Sequence, residues 1–332
     1  MNRLCGRSLL RDDDLSKDEF LWLVHLAEVL RGEKQDRAER QRLCGKNIAL
    51  LFEKPSTRTR SAFEVAAHDQ GAHVTYLGPD ESQMGHKESV RDTAKVLGRM
   101  FHGIEFRGYA HHDAELLAAN AGVPVWNGLT DEWHPTQMLA DVLTIRDHTR
   151  KRIEDVSYCY LGDARNNTAT SFLVSGALLG MDVRVAAPTS LWPTEEIQAT
   201  ADRLRKGAGG TLTLTDDVEL AVRGADFLYT DVWVSMGEPV EAWDERIDAL
   251  LAFQVNADVL RMTRNPNVRF LHCLPALHDA STEVGRQLLA RRGLRALEVT
   301  DEVFGSPASI VFDQAANRLH TVKATMVATL PA

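Results

Sequence analysis

What most restricts the fold of this chain is a rhythm. Between residues 47 and 146, short apolar runs of strand length alternate four times with stretches of helical periodicity. The runs are 47–52, 72–77, 104–106 and 123–126; the helical stretches are 56–70, 90–101, 113–120 and 134–146. Such order predicts a parallel sheet with helices on both faces. After a charged stretch at 148–152 the rhythm restarts, with strands expected at 157–161, 183–186, 212–214, 227–229 and 269–272 and helices including 170–179 and 217–223. Residues 318–330 read as a last helix. The fold class is therefore α/β: two doubly wound domains, each a mainly parallel sheet flanked by helices, with the boundary near residue 150. Ahead of the first strand, Phe20, Leu23, Val24, Ala27 and Leu30 fall at helical spacing. Ser16 and Glu19 form a capping box at its start, and Gly32 supplies a stop.

The length of 332 residues suits two domains of roughly 150 residues each. A formal net charge of −9 argues against a nucleic-acid partner and means that an anionic substrate must be gathered by a local cluster of arginines. The four cysteines, Cys5, Cys44, Cys159 and Cys273, have neither zinc-site nor disulfide-framework spacing, so free thiols in a reducing cytoplasm are expected. The first twenty residues carry no apolar leader core, and no apolar run reaches the ~18–20 residues of a membrane span.

The densest chemistry lies at Phe52-Glu53-Lys54-Pro55-Ser56-Thr57-Arg58-Thr59-Arg60, between a strand and a helix. Three hydroxyls and two guanidinium groups fall at a helix N-terminus, where orphan N–H groups and the dipole favour an anion. Arg58 adds a fork matched to phosphate oxygens. The bland alternative is a capped helix start with solvated arginines. Residues 161–167 (Leu-Gly-Asp-Ala-Arg-Asn-Asn) follow a strand but lack the glycine spacing of a dinucleotide turn.

Ser56-Thr57-Arg58-Thr59-Arg60 resembles the carbamoyl phosphate motif of the aspartate/ornithine carbamoyltransferase family. The resemblance continues, in the family's order, through residues 82–89 (Ser-Gln-Met-Gly-His-Lys-Glu-Ser), Phe106-Arg107-Gly108, His134-Pro135-Thr136-Gln137, residues 231–238 (Asp-Val-Trp-Val-Ser-Met-Gly-Glu) and His272-Cys273-Leu274-Pro275. It implies a carbamoyl phosphate-binding domain over residues 1–150, joined by the C-terminal helix 318–332, an ornithine-binding domain over 151–317, and an active site in the cleft between them. It further implies that Ser56, Thr57, Arg58, Thr59, Gln83, Arg107, His134, Gln137, Cys273, Leu274 and Arg318 bind carbamoyl phosphate. Asn167, Asp231, Ser235 and Met236 would hold ornithine. Arg107, His134, Cys273 and Asp231 are the expected catalytic groups.

Taken singly, these residues have duller readings: Arg107 a surface arginine, His134 a cap, Asp231 a loop-entry aspartate, Cys273 a small buried hydrophobe. Arg318 is expected at the start of the last helix. Gln83, with His86 and Lys87, lies in a loop that in related enzymes enters a neighbouring subunit's site, which implies a homotrimer or a larger assembly of trimers. Thr168-Ala169-Thr170 stand where the resemblance leads one to expect Met-Gly-Asn.

The implied reaction is attack by the δ-amine of ornithine on carbamoyl phosphate, giving citrulline and phosphate in arginine metabolism. It requires no metal and no organic cofactor. Binding energy would fix the amine against the carbonyl, while Arg107, Thr59 and His134 face the developing oxyanion. Two alternatives remain at this level: a carbamoyltransferase for another amine, such as putrescine or agmatine, and a silent metabolite-binding homologue.

Overall fold

The computed structural model describes residues 4–233 and 240–331; Ser235 and Met236 lie outside these. The chain forms two compact units, Met1–Thr144 with Ala315–Ala332, and Ile145–Gln314. Each is built on its own all-parallel sheet, the α/β architecture expected from the alternation.

In the first unit β1 (Asn47–Phe52), β2 (His73–Leu77), β3 (Gly103–Arg107) and β4 (Val125–Leu129) take the order β2-β1-β3-β4. Helix α1 (Lys17–Gln35) precedes them, and α2 (Thr57–Asp69), α3 (Val90–Met100), α4 (His111–Ala121) and α5 (Pro135–His148) follow the strands in turn. Five of the six β1 residues are buried, as a strand covered on both faces must be. The chain leaves β1 towards β2 on one side and places β3 on the other. The strand order reverses at β1/β3, and there Phe52 pairs with Arg107 at the carboxyl ends. Open parallel sheets hold ligands at such a switch point.

The Ser16–Glu19 capping box is present, but Gly32 does not end α1. Glycine costs a helix interior only ~1 kcal/mol, and the buried face from Phe20 to Leu30 outweighs it. The last helix, α13 (Val311–Thr329), also differs from expectation: Arg318 lies two turns inside it, not at its start. Its inward side carries buried Gln314, Asn317, Arg318 and Thr321, and these polar residues mask the apolar period by which a helix start is read.

In the second unit β5 (Ser157–Leu161), β6 (Asp182–Ala186), β7 (Thr211–Thr215), β8 (Phe227–Thr230) and β9 (Arg269–His272) run in the order β7-β6-β5-β8-β9. The helices are α6 (Asn167–Leu179), α7 (Glu195–Ala208), α8 (Val218–Val222), α9 (Val240–Leu250), α10 (Ala257–Met262), α11 (Glu283–Arg292) and α12 (Asp301–Phe304). Helix α6 begins three residues before the expected 170, because Asn166 caps it by accepting from the Ala169 N–H at 2.7 Å. It is buried from Thr168 to Leu179 and carries Phe172, stacked on Tyr158 with ring centroids 3.6 Å apart. The switch point here falls between β5 and β8, where the Thr230 hydroxyl donates to the Leu161 carbonyl at 2.7 Å. Among the described residues no helix is long and apolar enough to cross a membrane.

Candidate active site

At the switch point of the first sheet, β1 runs into α2 through Ser56, whose Oγ accepts from the Thr59 N–H at 3.2 Å. That bond caps the helix. Thr59 is fully buried, and its hydroxyl accepts from two guanidinium groups, Arg318 at 2.9 Å and Arg107 at 3.5 Å. Arg318 also donates to Gln137 Oε1 at 2.9 Å and approaches His134 Nε2 at 3.4 Å. An arginine can only donate, so this contact places the imidazole proton on Nδ1. Gln137 is held in turn, its amide donating to Asp141 at 2.8 Å. Sequence positions 59, 107, 134, 137 and 318 thus converge in one hydrogen-bonded cluster, buried but for the half-buried Arg107.

The electrostatics agree. Burial, then Arg318, Arg107, Lys54 and Arg58, hold the His134 pKa well below its ordinary value. The imidazole is therefore neutral at physiological pH, a donor rather than a fifth cation. Beneath the cluster lies Glu105, on the same face of β3 as Arg107, with both carboxylate oxygens buried and no hydrogen-bond partner. Burial pushes its pKa well above the carboxylate range, and Arg107 and Arg318 only partly oppose this. Net positive charge held around a neutral imidazole, out of water, suits a dianion.

The second unit places its groups around the β5/β8 switch point. Asp231 follows β8, and its Oδ1 accepts from the Val232 N–H at 2.8 Å and from the Cys273 thiol at 3.1 Å. Cys273 and Leu274 follow β9. Leu274 adopts a left-handed φ of 61°, a strained state for a branched side chain. It is pinned there because its N–H donates to His272 Nδ1 at 2.9 Å. Asn167 opens α6. Asp231, His272 and Cys273 bring one donor atom each within 4.8 Å of one another. His272 Nδ1 and the thiol take part in the bonds just given.

The two halves of the chain match two models of one family. Residues 7–147 match the carbamoyl-P binding domain of the aspartate/ornithine carbamoyltransferases, and residues 154–329 match their Asp/Orn binding domain. The chain belongs to the aspartate/ornithine carbamoyltransferase family. Among its relatives are catabolic ornithine carbamoyltransferases of Burkholderia mallei and Burkholderia pseudomallei, each 56% identical with 98% of both chains covered. The ornithine carbamoyltransferase from Pyrococcus furiosus superimposes with a TM-score of 0.89 at 40% identity, 98% of each chain being covered. The anabolic enzyme from Campylobacter jejuni gives 0.85 at 32%, covering 96% of this chain and 97% of that one.

Not every residue marked in this carbamoyltransferase's sequence joins the clusters. Arg60, the second guanidinium of the motif, turns outward to Glu64 at 2.9 Å and lies 3.7 Å over the Tyr76 ring. Gln83, His86 and Lys87 are exposed in the loop between β2 and α3, with no side-chain hydrogen bond to the cradle among the described residues. Glu105 and Asp141 went unmarked. Each had a local signal: Glu105 lies two positions before Arg107 on one strand face, and Asp141 one helical turn after Gln137.

Proposed function

We infer that the protein transfers the carbamoyl group of carbamoyl phosphate to the δ-amine of L-ornithine, releasing L-citrulline and phosphate. The observation that carries this reading is the convergence of Arg107 and Arg318 on the buried Thr59, beside a neutral His134. Ser56, Thr57, Arg58, Thr59 and Arg107 hold the phosphate. Gln83, Gln137, Arg318 and the Cys273 and Leu274 carbonyls complete the carbamoyl phosphate contacts. His134, with Arg107 and Thr59, donates to the carbonyl oxygen as the amine nitrogen bonds to carbon and the bond to phosphate breaks. Asn167, Asp231, Ser235 and the Met236 backbone hold the amino-acid end, with Asp231 paired to the α-ammonium.

A free alkyl amine has a reference pKa of ~10.4, so the reactive ornithine is the minor, deprotonated form. The relatives at 56% identity named catabolic favour use in arginine breakdown; one site serves both directions, and reactant supply decides between them. We further propose a cytoplasmic homotrimer, or an assembly of trimers. The absence of a disulfide among the four cysteines supports the first part, and the exposed Gln83, His86 and Lys87, which make no side-chain hydrogen bond among the described residues, support the second.

The test is citrulline formation, with aspartate, putrescine and agmatine as parallel acceptors and an Arg58→Ala control. Turnover with ornithine, lost in the control, is expected. Turnover only with another amine overturns the reading of Asp231, and carbamoyl phosphate binding without turnover points to a silent homologue.

A further inference from the structure

The turn that follows β9 is gripped at both ends by one buried carboxylate. Glu298 lies between Leu297 and Val299 of the second unit's apolar core and is itself fully buried. Its Oε1 accepts from the Leu277 N–H at 2.6 Å. The same oxygen lies 3.4 Å from His272 Nε2. His272 is equally buried, and its Nδ1 accepts from the Leu274 N–H. The ring proton therefore sits on Nε2, the atom that faces the carboxylate. Leu277 is anchored a second time, its carbonyl accepting from the Leu297 N–H at 2.7 Å. His272 is anchored again through its backbone N–H, which donates to Gln314 Oε1 at 2.8 Å. Between these anchors run Cys273, Leu274, Pro275 and Ala276, with Leu274 in its left-handed conformation.

A carboxylate out of water is costly to hold, and an apolar side chain of similar size would fill the place without that cost. What an apolar residue cannot supply is one acceptor shared by the residues before and after the turn. We propose that Glu298 is a positioning residue for carbamoyl recognition: by holding the His272 ring and the Leu277 N–H together, it keeps Leu274 in the left-handed conformation that aims its carbonyl at the carbamoyl NH2. This rests on the reading of the Leu274 carbonyl given under Proposed function. An NH2 group rewards a fixed carbonyl acceptor and a methyl group does not. Glu298 therefore acts on the choice between carbamoyl phosphate and its methyl analogue, acetyl phosphate, and not on affinity for phosphate.

The experiment uses the full-length protein with ornithine as acceptor. KM for carbamoyl phosphate, the competitive inhibition constants of acetyl phosphate and inorganic phosphate, and KM for ornithine are measured for the parent, Glu298→Leu, Glu298→Asp and Glu298→Gln. Leucine removes the acceptor. Aspartate keeps the charge but draws the oxygen back from both partners. Glutamine keeps an oxygen of the same reach without the charge. Glu298→Leu and Glu298→Asp should each raise KM for carbamoyl phosphate roughly 2- to 12-fold, the range of one lost hydrogen bond. The other three constants should not move, and Glu298→Gln should keep the parent's preference for carbamoyl over acetyl phosphate.

Equal weakening of carbamoyl phosphate, acetyl phosphate and phosphate would mean a structural role and overturns the proposal. So does a parent-like carbamoyl phosphate KM in the leucine and aspartate variants, or a glutamine variant that loses as much as the leucine one. In each of these cases the parent still prefers carbamoyl to acetyl phosphate, and only the role of Glu298 is lost. A parent that binds the two acyl phosphates equally removes the reading of the Leu274 carbonyl itself, and the proposal with it. Melting temperatures report any loss of fold. Where Glu298→Leu does not fold, the aspartate variant, which leaves the charge and most of the volume in place, decides.

Discussion

The two polar clusters, one in each unit, share a position in their sheets and differ in construction. In the first unit the polar groups are buried and bonded to one another: Thr59, His134, Gln137 and Arg318 are all at most 3% exposed. In the second unit Asn167, Cys273 and Leu274 are only partly buried, and the groups are tied chiefly to backbone and to short local turns. The difference follows from the ligands expected. A phosphate dianion rewards several cations gathered out of water, and those cations repel one another until it arrives. An amino acid brings both signs and asks for orientation more than for charge.

That contrast can be broken by substitution. Arg318→Ala should cut kcat/KM for carbamoyl phosphate by ~10³-fold or more, since it removes a charge and leaves Thr59 and Gln137 short of a donor. Arg318→Lys should recover little, because an ammonium does not span both partners as the fork does. Asp231→Asn should act on the other reactant, raising the ornithine KM about 10- to 100-fold, the range of a charge-assisted hydrogen bond. Its KM for carbamoyl phosphate should stay near the parent value. If either variant moves both constants equally, the division of labour fails.

A pH profile sharpens the comparison further. At saturating carbamoyl phosphate, kcat/KM for ornithine should rise about tenfold per pH unit through neutrality as the amine deprotonates. His134 already loses its proton well below 6.5 and should leave no inflection between pH 6.5 and 8.

The smallest effect expected is in stability. The Glu105 pKa is raised on folding, so the folded state binds more protons than the unfolded one above pH 4.5, and stability falls as pH rises through that range. Glu105→Gln should therefore raise Tm at pH 8 by about a few degrees, with the gain vanishing towards pH 4.5. A Tm gain that does not depend on pH would show that the carboxyl is not the source of the cost.

Much of this was legible in the sequence, and what was not has physical reasons. The strands declared themselves because parallel strands covered on both faces need unbroken apolar runs. The anion cradle declared itself because hydroxyls and guanidinium groups crowd one helix start. Arg318 was misplaced because its helix buries polar side chains, and its bond to Thr59 closes over 259 residues, a distance no local periodicity can report. Arg60 looked equivalent to Arg58 in the motif, and only the helix geometry sends it to Glu64 and Tyr76. Glu105 was read as part of an apolar strand, since nothing in a run such as Ile104-Glu105-Phe106 says that the carboxyl will be left without a partner.

The dependence of the cradle on α13 has a consequence for how the protein is made. The sheet of the first unit is complete in sequence at Leu129, yet Arg318 comes from the final segment, along with Thr329, which accepts from Trp126 Nε1 at 2.9 Å, and Lys323, which pairs with Glu39 and Asp69. At ribosomal rates of ~5–20 residues per second, roughly 10–40 s separate the emergence of β4 from that of Arg318. Through that interval the nascent chain carries an unfinished first unit, in which Thr59 and Gln137 lack the guanidinium that later bonds both. The second unit is translated whole in the meantime, so the part of the protein that begins first is the last to become competent.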